Sequence, residues 1–290
     1  MALGTFNEGL LRGASTSLDH IKAWLGGEVG SGSLGSKPKL RDIGEFTMKP
    51  AGDRLDLEGI NSRYRLVWVA GQRGKPGINA DIQNAAESVR MITDPDFEIL
   101  GTNGTSALCT FNVEGGIILT TAAVAADQMI LAPHLDADQS GWSQITWGTD
   151  QQTRWECDIR MGASIVDVIA WAGLKLTSTS VIATDADQVY FRYEEGQNSG
   201  KWLAVDSIGG VDVSTDAGVT VAINTDYHLV IEIDSARIAR FYINGTLVRT
   251  TAALTTAVDL IPYIAIEVQG GVAGAKVLRV RGQAISRAVA

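Results

Sequence analysis

The stretch YHLVIEIDSARIARFYINGTL, residues 227–247, decides the fold class. Tyr227, Leu229, Ile231 and Ile233 alternate with His228, Val230, Glu232 and Asp234, the period-two pattern of a strand with one buried face. After Ser235-Ala236 the pattern resumes. Ala239, Phe241 and Ile243 fall on one side, with Arg240 and Tyr242 on the other. Asn244-Gly245 supplies two residues that tolerate positive φ, a strong short-range hairpin signal.

The same reading extends outward. Strands are predicted over 64–69, 97–100, 107–113, 117–121, 128–132, 154–161, 166–176, 188–193 and 201–205. They continue over 218–223, 227–234, 237–243, 246–251, 262–269 and 275–282, with turns at Asn103-Gly104, Glu114-Gly115-Gly116, 196–200 and Gly209-Gly210. Many short strands at even spacing, with little helix between them, predict a β-sandwich. No fixed-period repeat points to a propeller or solenoid.

Composition agrees. The 290 residues are 45% hydrophobic and 20% charged, and 32 glycines against 6 prolines suit a turn-rich β fold. A net charge of −9 argues against a nucleic-acid partner, which needs clustered Lys and Arg. No apolar run has the length of a membrane span, and the start of the chain predicts no secretion signal. The two cysteines, Cys109 and Cys157, are too few for a zinc site; free thiols are expected, with a disulfide as the alternative if their strands are neighbours.

Residues 1–60 read differently. Phe6, Leu10 and Leu11, then Leu18, Ile21, Trp24 and Leu25, recur at helical spacing. A short helix over 17–25 is predicted, capped by Thr16 and Asp19 and stopped by Gly26-Gly27. The Gly/Ser-rich segment that follows has the composition of a flexible strap. Three parts are expected: an N-terminal arm (1–60), a connecting strand, loop and short helix (61–96, the helix over 81–92), and a sandwich (97–290). The arm packs either on its own body or on a partner.

WECDIRM (155–161), AGLKLTST (172–179), ATDADQVYFRY (183–193) and YHLVIEIDSARIARFYINGTLV (227–248) together resemble the jelly-roll sandwiches of the concanavalin-like superfamily, over roughly residues 97–287. RYRLVWVAGQRGKPGINADIQNA (63–85), DPDFEILGTN (94–103), EGGIILTTA (114–122) and APHLDADQSGW (132–142) resemble structural proteins of tailed bacteriophages. That second resemblance implies a non-enzymatic virion protein, made in the host cytoplasm and placed on the capsid surface. It would decorate or cement the head as a homo-oligomer, expected to be a trimer. Phe6, Leu10, Leu18, Ile21 and Trp24 would then bind the major capsid protein or other virion proteins. The alternative is a carbohydrate-binding, lectin-like module or adhesin, with Trp142 in the 138–142 loop as the glycan contact.

Catalytic and metal constellations are sparse. Laminarinase-like enzymes of this fold place three carboxylates at alternate positions of one strand. Glu156 and Asp158 fill two such positions, but Arg160 takes the third; Glu232 and Asp234 are followed by Ala236. Only His20, His134 and His228 could serve as imidazole bases, and no G-x-S-x-G elbow accompanies them. His134, Asp136 and Asp138, or Asp185 and Asp187, could ligate a cation, but solvated turns are the expected reading and no metal site is expected. No cofactor is expected. The sequons at Asn103 and Asn244 read as Asn-Gly turns. Trp155 and Trp171 lie in predicted strands, so core filling or a subunit interface is their expected role.

Overall fold

The computed structural model describes residues 56–58, 63–69, 78–79, 97–112, 116–132, 146–176, 185–270 and 274–288. In chain order the strands are β1 (Asp56–Glu58), β2 (Arg63–Val69), β3 (Ile78–Asn79), β4 (Phe97–Leu100), β5 (Cys109–Asn112), β6 (Gly116–Thr120), β7 (Gln128–Ala132), β8 (Arg154–Met161) and β9 (Val168–Lys175). They continue as β10 (Gln188–Glu194), β11 (Lys201–Ile208), β12 (Val211–Thr220), β13 (Asp226–Ile233), β14 (Ile238–Ile243), β15 (Thr246–Ala253), β16 (Ile261–Val268) and β17 (Val277–Ala288). These form two sheets of a jelly-roll sandwich. The first runs β1-β2-β17-β8-β13-β14-β15, with β6 joined to β17 and β5 to β6; the second runs β12-β11-β10-β9-β16-β7-β4-β3. All pairings are antiparallel except the short contact of β3 with β4.

Alternation drives the layering. In β13, Tyr227, Leu229, Ile231 and Ile233 are buried, and in β14 Ala239, Phe241 and Ile243 are buried. The turn between β14 and β15 places Asn244 at φ 50° and Gly245 at φ 81°, so the Asn-Gly hairpin forms where the sequence predicts it. Asn103 likewise sits in a turn at φ 58°. Between the sheets, Phe191 meets Phe241 edge-on at 5.2 Å between ring centroids. Trp202 on β11 is fully buried between Tyr193 (6.1 Å) and Tyr227 (5.6 Å), one ring from each sheet. Both tyrosine hydroxyls find backbone partners: Tyr193 donates to the Ile165 carbonyl and Tyr227 to that of Thr220. The rings can therefore be buried without orphaning their hydroxyls.

The boundaries differ most from expectation at β12 and β17. β12 begins at Val211 rather than 218. It is an edge strand paired only with β11, and most of its side chains are exposed, so burial periodicity is absent from its sequence. β17 runs on to Ala288 because its first half pairs with β6 and its second half with β2. β2 is thus a strand of the first sheet. The predicted helices over 17–25 and 81–92 lie outside the described residues, as do Phe6, Leu10, Leu18, Ile21, Trp24 and Trp142.

Trp147 and Trp155 fill the main core, and Cys109 and Cys157 do not form a disulfide with each other. One polar device crosses the sandwich. Asp206 on β11 and Arg249 on β15 form a hydrogen-bonded ion pair, with side chains 3% and 9% exposed.

Candidate functional site

The two outward faces of the sandwich differ in chemistry. On the first sheet, β8 turns Arg154, Glu156, Asp158 and Arg160 outward beside Asp226, His228 and Glu232 of β13. Arg154 reaches Glu156 (2.8 Å) and Glu232 (2.7 Å), and Arg160 and Arg281 both reach Asp226, at 3.1 and 2.9 Å. Partly exposed pairs of this kind contribute little stability each, about 0–1 kcal/mol. The carboxylates at 156 and 158 are tied up by Arg154 and by His228 (Nδ1 to Asp158 Oδ1, 2.7 Å), and Arg160 occupies the third alternate position.

The Asp158 hydrogen bond raises the His228 pKa above its ordinary 6.5, against the opposing effect of burial. The charged form is therefore favoured on folding. Its contribution is complete below 6.5 and is lost as pH rises through the folded value. Histidine NMR titration should place the His228 midpoint above 6.5, and Asp158→Asn should lower it.

The outward face of the second sheet is aromatic. β9 is buried along its whole length. Val168, Ala170, Ala172 and Leu174 enter the main core. Ile169 and Trp171 join a second cluster with Leu100, Ile130, Tyr190, Val205, Tyr263 and Ala265 on the other side. Both sheets together account for every described strand, so no described strand forms a third layer on this face.

Register builds the centre of the face. Gly173 on β9 is flanked by Tyr190 of β10 and Tyr263 of β16, and the two rings lie 6.3 Å apart at 49°. A Cβ on Gly173 would sit 2.4 Å from the Val189 carbonyl oxygen and 2.5 Å from the Tyr190 Cα. Gly173→Ala should accordingly push β9 from β10 and destabilise the protein by about 1–3 kcal/mol, read by thermal denaturation.

Cations lie over the rings. Lys175 Nζ is 5.6 Å from the Tyr263 centroid, and the Arg192 guanidinium is 5.8 Å from that of Trp171. Arg192 also pairs with Glu194, and Gln128 donates to Glu267 at 2.7 Å. Burial pushes the Tyr190 hydroxyl up to about 12, raises that of Tyr263 well above its ordinary value, and raises the Glu267 carboxyl.

A cross-strand row beside the tyrosines is polar: Lys175, Gln188 and Ser207, on β9, β10 and β11. Gln188 is 3% exposed and Ser207 1%, yet Gln188 Nε2 and Ser207 Oγ have no hydrogen-bond partner. Among the described residues only three amide or hydroxyl side chains are left in this condition, and these two are neighbours; the third, Gln283, faces the main core. An orphaned buried polar group costs about 1–3 kcal/mol, so a face serving only as packing would not be expected to hold two side by side.

Sequence reasoning had placed the functional contacts elsewhere. The anchoring residues and Trp142, with the 134–138 loop, lie outside the described residues. Asp187 is occupied structurally, accepting from Gly209 N and from the Thr255 hydroxyl. Among the described residues no group of three or more metal-ligating side chains occurs, and no helix is long and apolar enough to cross a membrane. Trp171, Tyr190 and Tyr263 were not singled out together. The available signal was the uninterrupted apolar run of β9, which suits a strand buried on both sides.

Together these features define the class: a two-sheet jelly-roll sandwich of concanavalin-like type with an aromatic outer face. Residues 161–273 match the family described as SO2946-like, C-terminal domain. The SO2946 protein of Shewanella oneidensis MR-1, of unknown function, has a similar structure, with 10% identity over 90% of this chain and 97% of that one at a TM-score of 0.52. Alginate lyase A1-II' of polysaccharide lyase family 7 is similar at 15% identity, covering 64% of this chain and 86% of that one at a TM-score of 0.46. The carbohydrate-binding module CBM66 of Bacillus subtilis is similar at 13% identity, covering 64% and 94% at 0.39. No curated protein matches the sequence.

These neighbours correct one expectation. The chain was expected not to be an enzyme, but polysaccharide-cleaving enzymes are among the sandwiches similar to it. Arg160 in place of a third carboxylate removes one hydrolytic arrangement from β8. It does not remove catalysis as such, because activity resides in side chains grafted on a fold rather than in the fold. The virion reading has no counterpart among the structures named here.

Proposed function

We propose that the chain is a carbohydrate-binding sandwich that takes its sugar on the outer face of the second sheet. The observation that carries this reading is the Tyr190–Gly173–Tyr263 row beside two buried, unpartnered polar side chains. Aromatic rings stack on the apolar faces of sugar rings, while amide, hydroxyl and charged groups meet the hydroxyls. The opposite face offers no ring cluster of this kind among the described residues; its charges are spent on one another. Trp171, Tyr190 and Tyr263 retain 5–7% of their surface, so ligand contact requires the face to open, and association should be slower than at an open platform.

The test is polysaccharide affinity electrophoresis followed by calorimetry on the full chain. Tyr263→Ala should weaken binding by at least tenfold, as should Trp171→Ala, with circular dichroism verifying the fold. His228→Ala, on the other sheet, should bind normally. Binding that survives both aromatic changes in folded protein, or that is lost only with His228→Ala, would overturn the assignment.

A further inference from the structure

We propose that β12 is an interface between two copies of this chain, which pair antiparallel about a two-fold axis at Val213 and join their second sheets edge to edge. The interface stands apart from the carbohydrate reading, since it uses the rim of the sandwich and not the aromatic face.

A strand at a sheet edge leaves one row of backbone N–H and C=O groups unpaired. Proteins protect such rows by keeping the strand short or by interrupting it with bulges, prolines or lysines. Among the described residues the strands paired on one side only are β1, β3, β5, β12 and β15. β1, β3 and β5 span three, two and four residues. β15 is broken by two register shifts against β14. β12 is ten residues long, and its ladder to β11 runs without interruption from Val211 to Asp216. That run holds no proline and no lysine. The irregularity of β12 comes only after it, around Gly218 at φ 73°.

The same run carries exposed apolar surface. Directly opposed residues of an antiparallel pair share a face. Val213 stands opposite Asp206, whose carboxylate meets Arg249 of the other sheet, and Val211 stands opposite Ile208, which packs against the main core. Both valines therefore point to the inner side of the second sheet. Val211 is nevertheless 66% exposed and Val213 46%, so the first sheet does not reach over them. Ala217, further along β12, is buried. One end of β12 thus overhangs the sandwich with two valines on its inner side.

Self-complementarity identifies the occupant as a second copy. Centred on Asp212, a two-fold pairing of the run sets Asp212 against itself; centred on Ser214, it sets Asp212 against Asp216. Like charges directly opposed destabilise a sheet. Centred on Val213, valine meets valine, Val211 meets Thr215, and Asp212 meets Ser214 of the second copy. A seryl hydroxyl donates to a carboxylate, and symmetry forms that pair twice. Asp216 is already held by Lys201 at 2.9 Å and falls opposite Gly210 in this register. Residues 211–215 of each copy bury less than a standard-size interface, so the dimer is expected to dissociate on dilution.

The experiment is sedimentation equilibrium of the full chain from about 1 to about 500 μM. The expected result is a monomer–dimer equilibrium that tightens as salt rises from about 50 to about 500 mM, because salt screens the repulsion between two chains of net charge −9. Ser214→Asp sets carboxylate against carboxylate twice in the dimer and should weaken it by about tenfold or more. Adding Asp212→Ser to that variant exchanges the two side chains and should restore wild-type association. Val213→Lys, which brings two ammonium groups together on the axis, is a second disruption on the opposite face of the strand. Circular dichroism verifies the fold of each variant. A chain that stays monomeric over the whole range, or that forms a trimer, would overturn the proposal. So would a dimer unchanged by Ser214→Asp and Val213→Lys, or one that weakens in salt. Loss in Ser214→Asp without rescue by the exchange would overturn the axis at Val213.

Discussion

Asp206→Ala is expected to destabilise the protein by about 3–5 kcal/mol, measured by urea denaturation, because it leaves the Arg249 guanidinium buried without its counter-ion. The pair links β11 of the second sheet to β15 of the first, and Asp206 is the only ion-pair partner of Arg249 among the described residues. Replacing both residues should behave differently. Asp206→Leu with Arg249→Met removes two desolvated charges at once, and such exchanges run from neutral to about 1–4 kcal/mol stabilising. A double variant as unstable as the single one would mean that the pair holds the sheets in register and does more than avoid an unpaired charge. Acidity gives a second handle. Burial outweighs the attraction of Arg249 and holds the Asp206 carboxyl above its ordinary 3.8. The folded chain therefore keeps this proton to higher pH than the unfolded chain does. The contribution of this group to stability falls as pH rises from 3.8 through the folded value, and Asp206→Asn should flatten that part of the profile.

Trp202→Ala should cost about 3–5 kcal/mol by the same measurement. The indole is fully buried between a tyrosine of each sheet, and its removal opens a cavity that neither can fill while its hydroxyl stays bonded to backbone. Trp202→Phe retains most of the volume. It also removes an indole N–H that has no partner, so its loss should be clearly smaller. Equal losses in the two variants would show that the edge-to-face geometry, rather than filled volume, carries the stabilisation.

Much of the sandwich is readable from local pattern. Strands β8 and β14 alternate because one side of each enters the core and the other is at least partly open to solvent, and β13 follows the same pattern except at Val230, which is buried on the outer side. The Asn244-Gly245 turn is readable because few dipeptides accept two successive positive φ values. β12 is not readable, since an edge strand with exposed side chains carries no burial period. His228 was correctly placed opposite the core by parity alone. Its bond to Asp158 was not foreseeable, because it depends on how β13 registers against β8, 70 residues away.

The candidate site divides in the same way. Parity along β9 and β10 sets which residues share a face, so Trp171 with Gly173, and Gln188 with Tyr190, were in principle determined by the sequence. That those strands are neighbours, that β16 lies on the far side of β9, and that Tyr263 therefore faces Tyr190 across Gly173 are decisions of the tertiary structure. The same holds for Asp206 and Arg249, separated by 43 residues and joined only when the sheets stack. Period and turn chemistry act over a few residues and determine strands and their faces. Pairing between strands distant in sequence is settled by packing of the whole core, and with it the aromatic face, its orphaned polar row and the charges around them.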